Sequence, residues 1–529
     1  MNGKRLGRLG LLLALCFAML VPAGVYAADT AAPAATTDAG TAAKLGLLLG
    51  DGNGVDAAYL AKSATRIQAA IISLRLQGRL TEATAYQGTD NFADAGSVGK
   101  SNQAVLAFLK AHPELGWNGT GGNTFMPLAN ISSQQLYKVL LEALGYRSGT
   151  DFDYAKTESF AAGKGLDQIA GTASITNAHI ATALIEALAA SASDGMPYMA
   201  MLQASGVLPA SAALPGGERI RLHRDAKLGT LFTDKAGRTL YFFTKDAPDP
   251  NSCTGDCLKS WPIYNGGADL QIPATLNAAD FGVLQRTDGT TQTTYKGWPL
   301  YYFAKDQKAG DTLGEAVGGV WFVAKQSYAA MLGTSATLGN YLTDAAGRTL
   351  YYFDKDTQGK SNCAGDCLAN WPAYTASGSD LPTGVKAADW GTITRADGSK
   401  QSTFKGYPLY YFVKDVKHGD ALGQNVGGVW FVVDPVKFAG TTAPVPKTYH
   451  IDIKNYSFGS GPLTVEAGSS IVFTNFDDMK HNAVAVNGAF ALPLLAKGDS
   501  YTITLGKPGT YDYYCEPHKA FMTGQIIVK

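Results

Sequence analysis

The chain carries no excess of either charge. Its 44 Lys and Arg residues stand against 44 Asp and Glu in 529 residues, and this balance excludes the basic surface that a nucleic-acid partner requires. Beyond the N-terminal segment, no apolar run is long enough to span a bilayer. Cysteine and histidine are scarce, at six and seven residues. No Cys-x-x-Cys-His stretch is present, which excludes that mode of haem attachment, and no His-x-His occurs. The length exceeds what one hydrophobic core supports, so several domains are expected.

The first segment reads as an export signal. Lys4, Arg5 and Arg8 precede an apolar stretch from Leu9 to Val21, and Val25-Tyr26-Ala27 offers small-residue cleavage chemistry. Residues 1–27 are expected to be removed after Ala27. Losing those three positive charges leaves a net charge of −3 and five cysteines, four of them in two close pairs. The next stretch, 28–44, is rich in Ala, Thr and Pro and reads as a linker.

Residues 45–205 are expected to be all-α. Ala61 to Leu76, Gln134 to Leu144 and His179 to Leu188 carry Ala, Leu and Ile with few breakers, separated by Gly- and Asn-rich turns. A helix–turn–helix phrase recurs three times, which predicts stacked helical units. The region resembles S-layer homology repeats in Ala64-Thr65-Arg66, in Phe92-Ala93-Asp94-Ala95, in Gly122 through Pro127, in Ala143-Leu144-Gly145-Tyr146 and in Phe152-Asp153-Tyr154. The resemblance implies noncovalent attachment to a cell-wall polysaccharide, with Thr65 and Arg66 as candidate contacts. Copies two and three depart from the pattern. Ile131-Ser132-Ser133 and Ile175-Thr176-Asn177 stand in place of the Thr-Arg pair, and each loses a guanidinium able to grip an anion.

A Pro/Ala/Gly linker is expected over 206–226, followed by a tandem repeat at 227–327 and 336–435. Cys253-x3-Cys257 and Cys363-x3-Cys367 are each followed by Leu and then Trp-Pro, and Gly-Gly-Val-Trp-Phe recurs at Gly318 and Gly427. Leu-Tyr-aromatic-Phe-x-Lys-Asp appears four times, starting at Leu240, Leu300, Leu350 and Leu409, so each repeat reads as a β-rich unit of two similar halves. These units resemble a secreted bacterial repeat family of unknown function, sometimes called the lipoprotein repeat family. Each cysteine pair could bind a metal or cycle in a redox reaction. No His or further Cys lies nearby to complete a metal set, and a structural disulfide is the simpler reading. The aromatic strands could relay electrons, though such side chains more often form core and cross-strand pairs.

A short linker, 436–447, leads to a segment at 448–529 that alternates in β fashion and is expected to fold as a β-sandwich. Its last loop is Cys515-Glu516-Pro517-His518-Lys519-Ala520-Phe521-Met522, and His481-Asn482 lies upstream after an Asp-rich turn. A soft thiolate, two imidazoles and a thioether suit a copper ion that cycles between Cu(I) and Cu(II). The loop also accounts for the odd cysteine. The segment resembles small cupredoxins such as plastocyanin and amicyanin. That resemblance implies a type 1 copper site with His481, Cys515, His518 and Met522 as ligands, and Asn482 supporting the sulfur from behind. It further implies a redox partner that docks near His518. Without His-x-His, and with Tyr514 beside the cysteine, a carrier is expected rather than an enzyme. A copper-storage protein and a structural wall protein are the alternatives.

Overall fold

Three hydroxyl side chains set the helical region in register. Thr65, Ser132 and Thr176 each sit in extended backbone immediately before a helix, at Arg66–Leu76, Ser133–Ala143 and Asn177–Ala189. Each forms a capping box with the residue three positions on, Gln68, Gln135 or His179, a device worth about 1 kcal/mol per helix. Just before these caps the three copies join in a ring of backbone hydrogen bonds. The N–H of Ala64 donates to Ile175 O (2.9 Å), that of Ile175 to Ile131 O (3.0 Å) and that of Ile131 to Ala64 O (3.1 Å). The apolar faces of the helices share one core that includes Leu74, Phe108, Leu140 and Leu184.

The residue after each cap closes the ring a second time. Arg66 Nε donates to Phe125 O (2.8 Å), Ser133 Oγ to Thr172 O (3.1 Å) and Asn177 Nδ2 to Tyr59 O (3.0 Å). Each first-turn side chain thus reaches the backbone of another copy. This corrects the expectation for Thr65 and Arg66. Thr65 is engaged as a helix cap, and Arg66 is buried with its guanidinium over Trp117 and Phe125. Arg66 is withdrawn from the surface, while Thr65 is half-buried.

The computed structural model describes residues 35–439 and 448–529. The expected signal, 1–27, the start of the first linker and most of the last one lie outside the described residues. The described chain falls into two units. One holds the described residues up to Thr349 with 377–384 and 415–420; the other holds 350–376, 385–414 and 421 onward.

Two linker boundaries need correction. Thr36–Thr37 pairs in parallel with Gln271–Ile272 and leads into a helix, Asp38–Lys44, capped by the Thr37 hydroxyl. Buried Asp38 there receives both terminal nitrogens of Arg219, at 2.8 and 2.7 Å. Arg221–Asp225, inside the second expected linker, is a strand paired with Gly229–Thr233. The partner of Thr36–Thr37 is distant in sequence, whereas Arg221–Asp225 forms a local hairpin at the basic end of the expected linker.

The two repeats form the same set of strands. In the first, Tyr241–Phe243 pairs with Trp321–Val323, and Phe281–Gln285, Thr291–Tyr295 and Trp298–Pro299 form a three-stranded sheet. In the second, Tyr351–Phe353 pairs with Trp430–Val432, and Trp390–Thr394, Lys400–Phe404 and Tyr407–Pro408 form the sheet. Disulfides join Cys253 to Cys257 and Cys363 to Cys367. A buried arginine holds each disulfide loop: Arg286 Nη2 donates to Cys253 O, and Arg395 Nη2 to Cys363 O.

The last segment is a sandwich of seven strands: β1 (Thr448–Ile453), β2 (Leu463–Val465), β3 (Ser470–Asn475), β4 (Val484–Ala485), β5 (Ser500–Thr504), β6 (Gly509–Tyr514) and β7 (Thr523–Val528). One sheet has the order β1-β3-β5 and the other β2-β7-β6-β4. Alternate residues such as Ile451, Ile453, Ile471 and Phe473 point inward and meet Tyr513 and Ile526 in a single core.

Candidate metal centre

Strand ends bring the candidate ligands together. Cys515 directly follows β6, and Met522 directly precedes β7, so one tight loop carries Cys515, His518 and Met522. The loop is held by its own backbone. Cys515 N–H donates to Met522 O, His518 N–H to Cys515 O and Met522 N–H to His518 O, each at 3.0 Å. His481 enters from the other side, between β3 and β4, where its backbone pairs with Leu495 in both directions.

Both imidazoles turn Nδ1 toward the thiol. Cys515 Sγ lies 3.5 Å from His481 Nδ1 and 3.5 Å from His518 Nδ1. Among the described residues, these three form the sole His/Cys/Asp/Glu group clustered tightly enough to hold a metal ion, with ligand atoms within 4.8 Å of one another. Cys515 and His481 are fully buried, His518 is half-buried, and Cys515 is a free thiol. Met522 is buried in the same core cluster. The donor set fits copper: one soft thiolate and two imidazoles stand at spacings that suit an ion about 2.0–2.3 Å from each.

Asn482 connects the two ligand-bearing segments. Its Oδ1 accepts the N–H of Glu516 at 2.8 Å, so the residue after His481 is tied to the residue after Cys515. The side chain acts on the backbone beside the cysteine.

Two residues that the sequence reading missed also shape the site. Asp477 Oδ2 lies 3.2 Å from His481 Nε2, a close charge contact without hydrogen-bond alignment. The Asp477 carboxylate also accepts the N–H groups of Asn455 (2.7 Å) and Tyr456 (2.8 Å). Partial burial pushes Asp477 up, but those donors and His481 outweigh it and hold the carboxyl below its ordinary range. Burial and nearby His518 lower the pKa of His481 against the upward pull of Asp477, which favours the neutral imidazole with its lone pair free. Tyr456 stands edge-on to both imidazoles, at 5.1 and 5.0 Å between ring centres. The one available signal was the Asp-rich turn four residues before His481. Nothing in the sequence pointed to Tyr456.

Comparison with known proteins agrees with this geometry. Residues 447–529 match the model of copper-binding proteins of the plastocyanin/azurin family. Residues 223–264, 282–325, 334–375 and 391–434 match a secreted repeat of unknown function, one match to each half-repeat. Amicyanin from Paracoccus denitrificans is 33% identical over 84 residues, which is 15% of this chain and 63% of that protein. Amicyanin-alpha from Methylorubrum extorquens is 32% identical over 92 residues, covering 16% and 76%. Plastocyanin from Rumex obtusifolius is 34% identical over 87 residues, covering 14% and 88%. A solved structure of a reduced amicyanin variant is 33% identical and covers 16% of this chain and 82% of its own, with a TM-score of 0.15. Among the described residues, no helix is long and apolar enough to cross a membrane. Through residues 447–529, the chain belongs to the plastocyanin/azurin family of copper-binding proteins.

Proposed function

We propose that this protein is an extracellular one-electron carrier in which His481, Cys515, His518 and Met522 hold copper. The observation that carries the reading is the convergence of two imidazole Nδ1 atoms on one buried free thiol. When bound, copper supplies a couple between Cu(I) and Cu(II). The chain keeps the donors in place: the backbone bonds within the 515–522 loop and the Asn482–Glu516 tie resist rearrangement as the charge changes. Burial of Cys515 and His481 keeps water from the inner side.

Electrons enter and leave beside His518. Exposed Phe521 and Tyr456 touch its ring, at 5.7 and 5.0 Å between centres, and make an apolar contact surface for a redox partner. The match to a secreted repeat family supports export. The resemblance of the helical region to S-layer homology repeats supports attachment to a wall polysaccharide.

The test is a spectrum and redox titration of the copper-loaded full chain. An intense copper–thiolate absorption and a reversible one-electron wave are expected, and Cys515→Ser removes both. Copper binding without colour, with Cys515 still open to a thiol reagent, overturns the reading.

A further inference from the structure

The fourfold Leu-Tyr-aromatic-Phe-x-Lys-Asp phrase has a crossed partnership in three dimensions. In the first repeat, Tyr241 of one phrase donates its hydroxyl to Asp306 of the other at 2.6 Å. Tyr301 of the second phrase donates back to Asp246 at 2.8 Å. In the second repeat, Tyr410 donates to Asp356 at 2.6 Å. These tyrosines and carboxylates are buried.

The tyrosines stand against a column of stacked rings. In repeat one, Trp261 and Trp321 lie face to face at 3.8 Å with 2° between planes, and Phe303 (4.3 Å) and Phe243 (4.0 Å) cover the outer faces. Repeat two reproduces this with Trp371 and Trp430 at 3.8 Å and 2°, covered by Phe412 and Phe353 at 4.3 Å each. Tyr301 and Tyr410 meet their columns edge-on at 5.2 and 5.1 Å.

Asp246 also accepts from the Ser252 hydroxyl (2.6 Å), and Arg286 Nη1 stands 3.4 Å from the Tyr301 hydroxyl; Asp356 accepts the Asn362 N–H (2.6 Å), so each carboxylate is held in place beside its tyrosine. The indole faces are covered, so the column is not a platform on which a ligand stacks. A phenol bonded to a carboxylate, in contact with two π-stacked indoles, is instead the arrangement for losing an electron and a proton together.

We infer that each repeat is a proton-coupled aromatic redox relay, which accepts an oxidising equivalent from an external high-potential one-electron oxidant of the trivalent metal-complex class. In the step, the oxidant gains one electron and Tyr301 loses one. The phenolic O–H bond breaks and its proton forms an O–H bond on Asp246. When the Trp321–Trp261 pair gives an electron to the neutral tyrosyl radical, the proton returns from Asp246 to the phenolic oxygen, and the positive charge stays on the stacked indoles. The same step in repeat two uses Tyr410, Asp356 and the Trp430–Trp371 pair. This inference does not depend on copper.

The test is flash oxidation of the full chain by photogenerated ruthenium(III) tris-bipyridine above pH about 8, where the Asp246 and Asp356 carboxyls, pushed up to about 7 and about 6, are ionised, with transient absorption of tyrosyl and indolyl radicals. Fast radical formation with a solvent deuterium isotope effect is expected. A positioned proton acceptor contributes about 10²–10⁴-fold to such a transfer, so the Asp246→Asn/Asp306→Asn/Asp356→Asn variant should slow it at least about tenfold. Folding of the variant is checked by circular dichroism. Should it fail to fold, Tyr241→Phe/Tyr301→Phe/Tyr351→Phe/Tyr410→Phe, which leaves the carboxyls in place, should abolish the isotope-sensitive phase. Radicals that form equally fast in both variants, or without an isotope effect in the parent, belong to other aromatics and overturn the inference.

Discussion

Replacing Asp246 by Asn should change how the stability of the first repeat depends on pH. Burial pushes the Asp246 carboxyl up to about 7 from its ordinary 3.8; Ser252, Tyr301 and Arg286 pull it down without offsetting the burial. The folded state therefore binds more protons than the unfolded state between these values. The stability contributed by protonated Asp246 is fully present below pH about 4 and is lost as pH rises through about 7. A shift of about three units corresponds to about 4 kcal/mol as an upper bound. His418 acts in the opposite sense in the same unit. It is buried against Trp298, and burial lowers it to about 4 from 6.5 despite a backbone contact at Ala247. Its contribution is present above pH 6.5 and lost as pH falls through about 4. The two contributions oppose each other between pH about 4.5 and 6.5. Asp246→Asn removes this one contribution and leaves the other titrations in place, so the variant gains a few kcal/mol relative to the parent between pH 4.5 and 8. Native-state hydrogen exchange of the Tyr241–Phe243 strand, corrected for intrinsic exchange, reads this on the full chain. A difference between variant and parent that stays constant with pH within about 0.5 kcal/mol refutes the reasoning.

Other perturbations bear on the metal centre and the helical ring. Asn482→Ala removes the bond to the Glu516 N–H and should cost about 1 kcal/mol in denaturant unfolding of the last domain, with about tenfold weaker copper binding by competition titration. Met522→Leu should keep the copper–thiolate colour, because the thiolate and both imidazoles remain, and should shift the potential in a redox titration. Arg66→Ala leaves a void beside Trp117 and an unpaired carbonyl at Phe125. The helical region should melt earlier by about 2–4 kcal/mol of stability, while the copper spectrum is unchanged.

How much was legible in the sequence differs between the parts, and contact distance is the reason. Cys515, His518 and Met522 lie within one short loop between strands, so residue type and spacing alone raised the copper hypothesis. The repeat boundaries were readable because the same phrases recur. Thr65 was visible as a match to a motif and Ser132 and Thr176 as departures from it, but the closed backbone ring beside them links residues far apart in sequence. Composition misled at 36–44, where Ala and Thr suggested a linker and a distant strand supplied the partner, and the linker expected up to 226 overran the local hairpin that starts at Arg221.

The sequence alone determined which atoms are available: one unpaired thiol, two imidazoles and a thioether in the last segment, and four copies of a Tyr–Asp phrase before it. Only the tertiary structure decided how they are used. It turned Nδ1 rather than Nε2 of His481 and His518 toward Cys515, and it set Asp477 and Tyr456 around them. It crossed Tyr241 to Asp306 and Tyr301 to Asp246, rather than pairing each tyrosine within its own phrase. Ring orientation and long-range pairing depend on which strands become neighbours, and that is set by burying the whole core rather than by any local pattern.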